Sequence, residues 1–387
     1  MSIYWIVLDS AGIGDAADAE QFGDAGSNTW KRCYDTGKLE IPNMEKLGIY
    51  HIDGMNLKSP GQTPAGCYGR LEEKSLGKDT TIGHWEMAGL ITNAPFPTYP
   101  HGFPREVMEK FEQLTGCGTL CNLPYSGSEV ICDYGEEHLR TGKLIIYTSA
   151  DSVFQIAAHE DKVSVKKLYE YCQIARDLLQ GEHAVARVIA RPFVGTYPDY
   201  VRTDRRHDFS LQPGKDTILD QLGKNGIPVQ GIGKIYDIFA GKGVSQTIPN
   251  HGNKANMEEV FRVQKSDFQG LCYVNLVDFD MLYGHRRDIP GYTNALNEFD
   301  KQLGTFMDQM KEKDILFITA DHGCDPGFQG TDHTRENVPL LCYGKALREN
   351  VNLGKRGTFA DIAATVGALF QISYDGDGSS FAEEILK

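Results

Sequence analysis

An α/β fold with a mainly parallel sheet flanked by helices is predicted by three features of the sequence. Short continuous apolar runs recur, several lead into aspartate, and helical patterns stand between them. Residues 3–8 run into Asp9, residues 144–147 lead to Asp151, residues 271–277 run into Asp278 and Asp280, and residues 315–319 lead to Asp321. Unbroken runs of this length, rich in Ile and Val, are the pattern of strands buried on both faces. The clearest helix carries Leu296, Phe299, Leu303, Phe306 and Met310 on one face, at alternating spacings of three and four. A second carries Val165, Leu168, Cys172, Ala175 and Leu179. Strands alternating with helices predict a parallel sheet.

Ligands of such sheets bind beyond the carboxyl ends of the strands. Asp9 lies near the start of the 387-residue chain, and Asp280 and Asp321 lie in its last third. One catalytic core built from both ends, residues 1–97 and 213–387, is therefore expected, with residues 98–212 as an inserted, smaller α/β cap domain. The insertion begins in the proline-rich loop 95–100. It ends near Gln212-Pro213-Gly214, before a helix containing Ile218 and Leu222. A chain of this length buries a sizeable core without disulfides.

Lys and Arg total 39 against 53 Asp and Glu, a formal net charge of -14. Nucleic acid is a poor match, because its binding rests on basic side chains neutralising phosphates. Small anionic ligands remain compatible, since a bound divalent cation reverses the sign of an acidic pocket. Nine scattered cysteines, without a C-x-x-C pair, predict free thiols in a cytoplasmic protein. The first residues carry no basic segment before the apolar run and no stretch has the length of a membrane span, so neither secretion nor membrane insertion is expected.

The chemistry concentrates at the strand ends. In residues 315–323 a strand delivers Asp321 and His322 to its carboxyl end, and Gly323 is expected to turn the chain sharply. Both side chains suit zinc or manganese. His333 follows in a polar loop where no packing role explains a histidine, Asp280 and His285 follow another strand, and Asp9 closes the set. Three Asp and three His are too many for one ordinary catalytic metal and suit a pair of divalent cations. Two such ions can clamp the attacking and leaving oxygens of a displacement at phosphorus. Thr80 and Thr81, in the glycine-bracketed loop 77–86, offer a hydroxyl that metal coordination can activate. Arg187, Arg191, Arg202, Arg205 and Arg206 cluster in the insertion, and their forks suit a phosphate, with Arg191 and Arg202 the preferred pair. Lys234, after another strand, is a further candidate.

Asp321-His322-Gly323 together with the other ligands resembles the alkaline phosphatase superfamily of metalloenzymes. Asp9-Ser-Ala-Gly-Ile-Gly-Asp15, Gly77-Lys-Asp-Thr-Thr-Ile-Gly-His-Trp-Glu86, Asn275-Leu-Val-Asp-Phe-Asp280 and His333-Thr-Arg-Glu336 are similar to the phosphopentomutase family, in its order and over nearly the whole chain. The resemblance implies an alkaline-phosphatase-like core and two Mn²⁺ ions per chain, one on Asp9, Asp321 and His322, the other on Asp280, His285 and His333. It implies Thr80 as the phosphorylated nucleophile, with Thr81 the alternative, and Asp151 beside the sugar. It also implies glucose 1,6-bisphosphate or a pentose 1,5-bisphosphate as activator, and interconversion of pentose 1- and 5-phosphates, with ribose and 2-deoxyribose both accepted. Ile82 stands where the family often has Thr or a small residue. Ligand type admits Mg²⁺, Zn²⁺ or Co²⁺ as well.

A cap has a physical role in this chemistry, because a phosphothreonine open to water leaks by hydrolysis. The rivals are a hydrolase of the same superfamily, a cofactor-independent phosphoglycerate mutase, and an inactive metal-binding protein. Pentose phosphates are the expected partners. Oligomeric state is left open by the sequence, a monomer being among its readings.

Overall fold

The computed structural model describes residues 1–58, 61–149, 151–249 and 251–387. In chain order its strands are β1 (Ser2–Leu8), β2 (Cys67–Leu71), β3 (Thr119–Pro124), β4 (Leu144–Thr148), β5 (Val153–His159), β6 (Arg187–Val194), β7 (Val201–Arg202), β8 (His207–Ser210), β9 (Val229–Ile232), β10 (Gln246–Ile248), β11 (Gly270–Leu276), β12 (Ile315–Thr319), β13 (Val338–Tyr343) and β14 (Val351–Arg356). The chain divides into two units, Met1–Ala94 with Pro213–Lys387, and Pro95–Gln212. No helix among the described residues is long and apolar enough to cross a membrane.

The first unit is an eight-stranded sheet in the order β10-β9-β11-β1-β12-β13-β2-β14. β1 lies between two parallel partners, with Leu8 opposite Leu276 and Val7 opposite Thr319. Ile3, Trp5 and Val7 alternate with Tyr4, Ile6 and Leu8, and all six are at most 1% exposed. Both faces are therefore covered, which is why the run is unbroken. Burying a side chain of this size contributes roughly 1.5–3 kcal/mol. The helix Ile289–Asp308 supplies part of the cover, and its Phe306 ring meets Tyr4 edge-on at 4.9 Å. Asp288 caps that helix by accepting from Gly291 N–H. Met310 lies beyond the helix end but is buried.

Register and direction together build one functional edge. β1, β11 and β12 run the same way and stop level with one another, so Asp9, the turn carrying Asp280, and Asp321 leave the sheet side by side. β13 runs antiparallel to β12, so the loop containing His333 opens at that edge before β13 descends. β2 is antiparallel to β13, with Leu71 opposite Val338, and it rises to the same edge before the helix Thr80–Met87.

In the second unit the order is β3-β4-β5-β6-β7, with β8 also on β6. This sheet is mixed. β4 is parallel to β3 but antiparallel to β5, so the apolar run 144–147 is buried without being a wholly parallel strand. Leu144 and Ile146 pack with Phe111, Leu168 and Cys172, from helices Arg105–Thr115 and Val165–Leu178. Ile145 and Tyr147 face Val130 and Ile131 of helix Glu129–Thr141. A sheet covered on both faces yields an unbroken apolar run whatever the strand direction.

Candidate functional site

Asp9 is fully buried and accepts from Asn275 Nδ2 at 2.8 Å. Ser10 turns the chain at a φ of 71°, and its N–H donates to Asp321 Oδ1 at 3.0 Å, tying two strand ends together. His322 Nε2 lies 3.5 Å from Asp9 Oδ1 and 3.3 Å from Asp321 Oδ2. Its Nδ1 faces Gly323 O at 3.0 Å. A carbonyl only accepts, so Nδ1 carries a hydrogen, and Nε2 is the ring atom turned toward the carboxylates.

Asp280 sits in the π-helical turn Phe279–Gly284, which His285 follows. His285 Nε2 is 3.2 Å from Asp280 Oδ2, and His333 Nε2 is 3.5 Å from Asp280 Oδ1. The two Nε2 atoms stand 3.1 Å apart, while His285 Nδ1 donates to Thr331 O at 2.6 Å. Two ring nitrogens held 2.0–2.1 Å from one ion are separated by roughly 3.0–3.4 Å, so the spacing fits a shared cation.

One donor atom from each of Asp9, Asp321 and His322 lies within 4.8 Å of the others, and the same is true of Asp280, His322 and His333. Asp9 Oδ1, Asp280 Oδ1 and Asp321 Oδ2 are buried without a hydrogen-bond partner. Orphaned buried carboxylate oxygens are costly unless a cation takes them, so the residues present fit two divalent ions. The charges act strongly on one another. Burial, then Asp321 and Asp280, push the Asp9 carboxyl well above its ordinary range. Against burial, His333 and His285 draw Asp280 well below it. Against burial, Asp321, Asp9 and Asp280 raise the His322 imidazole.

Thr80 opens the helix Thr80–Met87, capped by Asp79, which accepts from Thr81 and Ile82 N–H at 3.0 and 3.2 Å. Thr80 Oγ1 stands 3.2 Å from His322 Nε2. The helix lies directly on this sheet edge, because a Cβ at Gly83 would meet Asp321 O at 2.2 Å. His84, on the same helix, reaches Asp321 Oδ2 at 3.1 Å. Ile82 packs onto Gly77, where a Cβ would come within 2.3 Å of its Cδ1.

Arg335 and Glu336 fasten the loops of the site. The guanidinium of Arg335 is 1% exposed and donates to Glu73 Oε2 and Gly77 O, each at 2.6 Å, and to Asp18 at 2.9 Å. The loop leading to Thr80 is thereby tied to the loop of His333. Glu336 accepts from Thr334 Oγ1 at 2.7 Å, Thr29 Oγ1 at 2.8 Å and Gly14 N–H at 3.1 Å. The chain bends at Asp321 and His322, and Gly323 itself does not have a positive φ. Its missing side chain makes room for Glu336, which a Cβ would meet at 2.5 Å.

The second unit contains a cavity of about 330 Å³ whose lining includes Arg187, Arg191, Arg202, Arg206, Asp151 and Tyr147. Arg191 donates to Gln155 at 3.0 Å, and Arg206 grips Asp208 through two bonds of 2.7 Å. Asp151 lies 3.9 Å from Arg187. Lys234 is in the first unit, where its charge lowers the Asp9 carboxyl, and it does not line this cavity. Arg205 pairs with Glu160 and is outside the lining. Asn275, His84, Arg335 and Glu336 received no role from sequence reasoning, although all four stand inside the motifs noted there. Arg187 lines the cavity alongside the preferred Arg191. Its position, four residues before Arg191 on one strand, puts both on one face.

A family model described as the metalloenzyme superfamily matches residues 1–374. The phosphopentomutase of Lachnoclostridium phytofermentans is 53% identical over 386 residues, covering 100% of this chain and 99% of that protein. That of Acetivibrio thermocellus is 53% identical over 382 residues, covering 98% of each. That of Clostridium novyi is 52% identical over 386 residues, covering 100% of this chain and 99% of its own length.

Proposed function

The chain belongs to the phosphopentomutase family of the metalloenzyme superfamily and is an enzyme, and on that premise we propose that it interconverts α-D-ribose 1-phosphate, or 2-deoxyribose 1-phosphate, with the corresponding 5-phosphate through a phosphothreonine at Thr80. The observation that carries this reading is the placement of the Thr80 hydroxyl, 3.2 Å from His322 Nε2 at the rim of the Asp and His cluster.

Asp9, Asp321 and His322 would hold one divalent cation, and Asp280, His285 and His333 the other. Mn²⁺ suits this mixture of carboxylate and imidazole. When bound, the ions supply charge neutralisation at phosphoryl oxygens and activate the oxygen nucleophile.

The chain's own residues do the rest. Thr80 gives its phosphoryl group to the free hydroxyl of the incoming pentose phosphate. The P–O bond to Thr80 breaks, the P–O bond to the sugar forms, and the sugar's hydroxyl proton is exchanged for the one Thr80 regains. The product is a 1,5-bisphosphate, and transfer of its other phosphoryl group back to Thr80 completes the isomerisation. Asp79 fixes the first turn of the helix, so Thr80 is presented in one geometry. Arg335 keeps the threonine loop in register with the His333 loop. A dephosphorylated chain would be primed by glucose 1,6-bisphosphate or by a pentose 1,5-bisphosphate.

The arginine-lined cavity of the second unit supports binding of a phosphorylated sugar. Arg191 and Arg202 would take the phosphate through charge-assisted hydrogen bonds, and Asp151 would take a sugar hydroxyl. Lys234 acts on the charge balance at Asp9 rather than in that cavity.

Peptide mass mapping tests the nucleophile. After incubation with Mn²⁺ and glucose 1,6-bisphosphate, one phosphate is expected on Thr80 and none in the Thr80→Ala variant. Phosphate on Thr81 instead, or an unmodified loop, would contradict the assignment.

A further inference from the structure

Cys324 lies two residues beyond His322, and its side chain reaches the half of the cluster built from Asp280 and His285. Its backbone N–H is pinned by Ser10 O at 3.2 Å and Thr29 Oγ1 at 3.1 Å. The residue is 1% exposed. Sγ stands 3.9 Å from His285 Nδ1 and 3.7 Å from Asp332 O, packed against Gly284, where a Cβ would meet it at 2.9 Å. One donor atom from each of Asp280, His285 and Cys324 lies within 4.8 Å of the others. Among the described residues it is the one cysteine in such a group. A second observation points to a ligand here, since Asp280 is 6% exposed and its Oδ1 has no hydrogen-bond partner.

We propose that Cys324 converts the Asp280–His285 half of the cluster into a carboxylate–imidazole–thiolate trap for a thiophilic divalent cation such as Zn²⁺ or Cd²⁺. Around a tetrahedral ion, metal–nitrogen and metal–oxygen bonds of about 2.0–2.2 Å and a metal–sulfur bond of about 2.3 Å place neighbouring donors roughly 3.3–3.7 Å apart, and the three donors here lie within 4.8 Å of one another. Thiolate ligands favour soft and borderline ions, whereas Mn²⁺ and Mg²⁺ favour oxygen and leave a thiol uncoordinated. On capture the S–H bond breaks, the proton passes to solvent and the metal–sulfur bond forms, with no change of oxidation state. Capture would draw Asp280 and His285 away from His333. Soft cations would then inhibit by occupying the position meant for a hard one. The inference shares Asp280 and His285 with the proposed catalytic reading but does not require mutase activity.

The test is a titration of the chelator-treated full-length protein with Cd²⁺, followed by the ultraviolet thiolate-to-cadmium charge-transfer absorption and by metal analysis. The wild type is expected to develop the band as Cd²⁺ binds. Cys324→Ser and Cys324→Ala should lose it, with Cd²⁺ affinity falling on the order of tenfold and Mn²⁺ affinity, read by the resonance of free Mn²⁺, changing much less. Cys33→Ser should keep the band. An undiminished band in both Cys324 variants, or Cd²⁺ bound to the wild type without the band, overturns the proposal while leaving the Mn²⁺ reading intact. Failure of both ions to bind overturns both.

Discussion

Thr80 Oγ1 and His322 Nε2 lie 3.2 Å apart, although 242 residues separate them in the chain. The contact exists because β2 and β12 both deliver to one sheet edge and because Gly83 lets the threonine helix rest on Asp321 O. If Thr80 is the nucleophile, Thr80→Ala lowers kcat by on the order of a thousandfold or more, while metal content is unchanged. Thr80→Ser retains part of the rate. Thr81→Ala retains most of it, because Thr81 serves the helix start through its backbone N–H. Steady-state kinetics with metal analysis on each variant checks all three.

Metal removal and charge removal should oppose each other at Asp9. Burial and two neighbouring carboxylates hold its carboxyl well above the ordinary range, so without cations the ionised group is destabilising. Asp9→Asn is therefore expected to raise the melting temperature by about 2 °C in chelator. In Mn²⁺ it should lower it, because binding to the folded state stabilises less when affinity falls. Scanning calorimetry of both proteins under both conditions reads the crossing. A uniform loss of stability in the variant would count against a charge-crowded metal site.

Arg335 satisfies Glu73, Asp18 and Gly77 O at once and is almost wholly buried. Lysine cannot reproduce a planar fork. Arg335→Lys should cost about 3 kcal/mol, read from the urea midpoint, and should lower kcat more than it raises KM, since the loop it ties carries Thr80.

Glu336 gives a pH signature. Burial raises its carboxyl from the ordinary 4.5 to about 7, despite bonds from Thr29, Thr334 and Gly14. A raised carboxyl binds its proton more tightly in the folded chain than in the unfolded one. Its contribution is fully present below about 4.5 and is lost as pH rises to about 7, a change of at most about 3 kcal/mol. The chelator-treated wild type should lose stability across that window relative to Glu336→Gln. Urea midpoints that run parallel for the two proteins would refute this.

In the second unit, Arg191→Met and Arg202→Met should each raise KM for ribose 5-phosphate by about tenfold to a hundredfold. Arg205→Met should not, since Arg205 pairs with Glu160 outside the cavity. Equal effects from all three would mean that net charge, rather than the cavity, attracts the substrate.

The strands of the core were legible because strands covered on both faces must be continuously apolar, so the aspartates that end them stand out. Strand direction was less so. Residues 144–147 show the same pattern in a mixed sheet, because burial rather than direction writes it. The polar network was the least legible. Glu336 beneath Gly323, and Arg335 across to Gly77 O, are contacts between loops far apart in sequence, and no periodicity marks them. Arg187 had a usable signal in its spacing from Arg191 along one strand. The close approach of Glu336 to Gly323 left no mark in the sequence apart from the glycine itself, which a turn explains equally well.

The most direct test of the account follows phosphorus NMR signals of ribose 5-phosphate with the purified protein, Mn²⁺ and a trace of glucose 1,6-bisphosphate, with Thr80→Ala alongside. Ribose 1-phosphate is expected to appear with little release of inorganic phosphate, and the variant is expected to form neither product. Accumulation of inorganic phosphate without the isomer would contradict the account, leaving a two-metal hydrolase in its place.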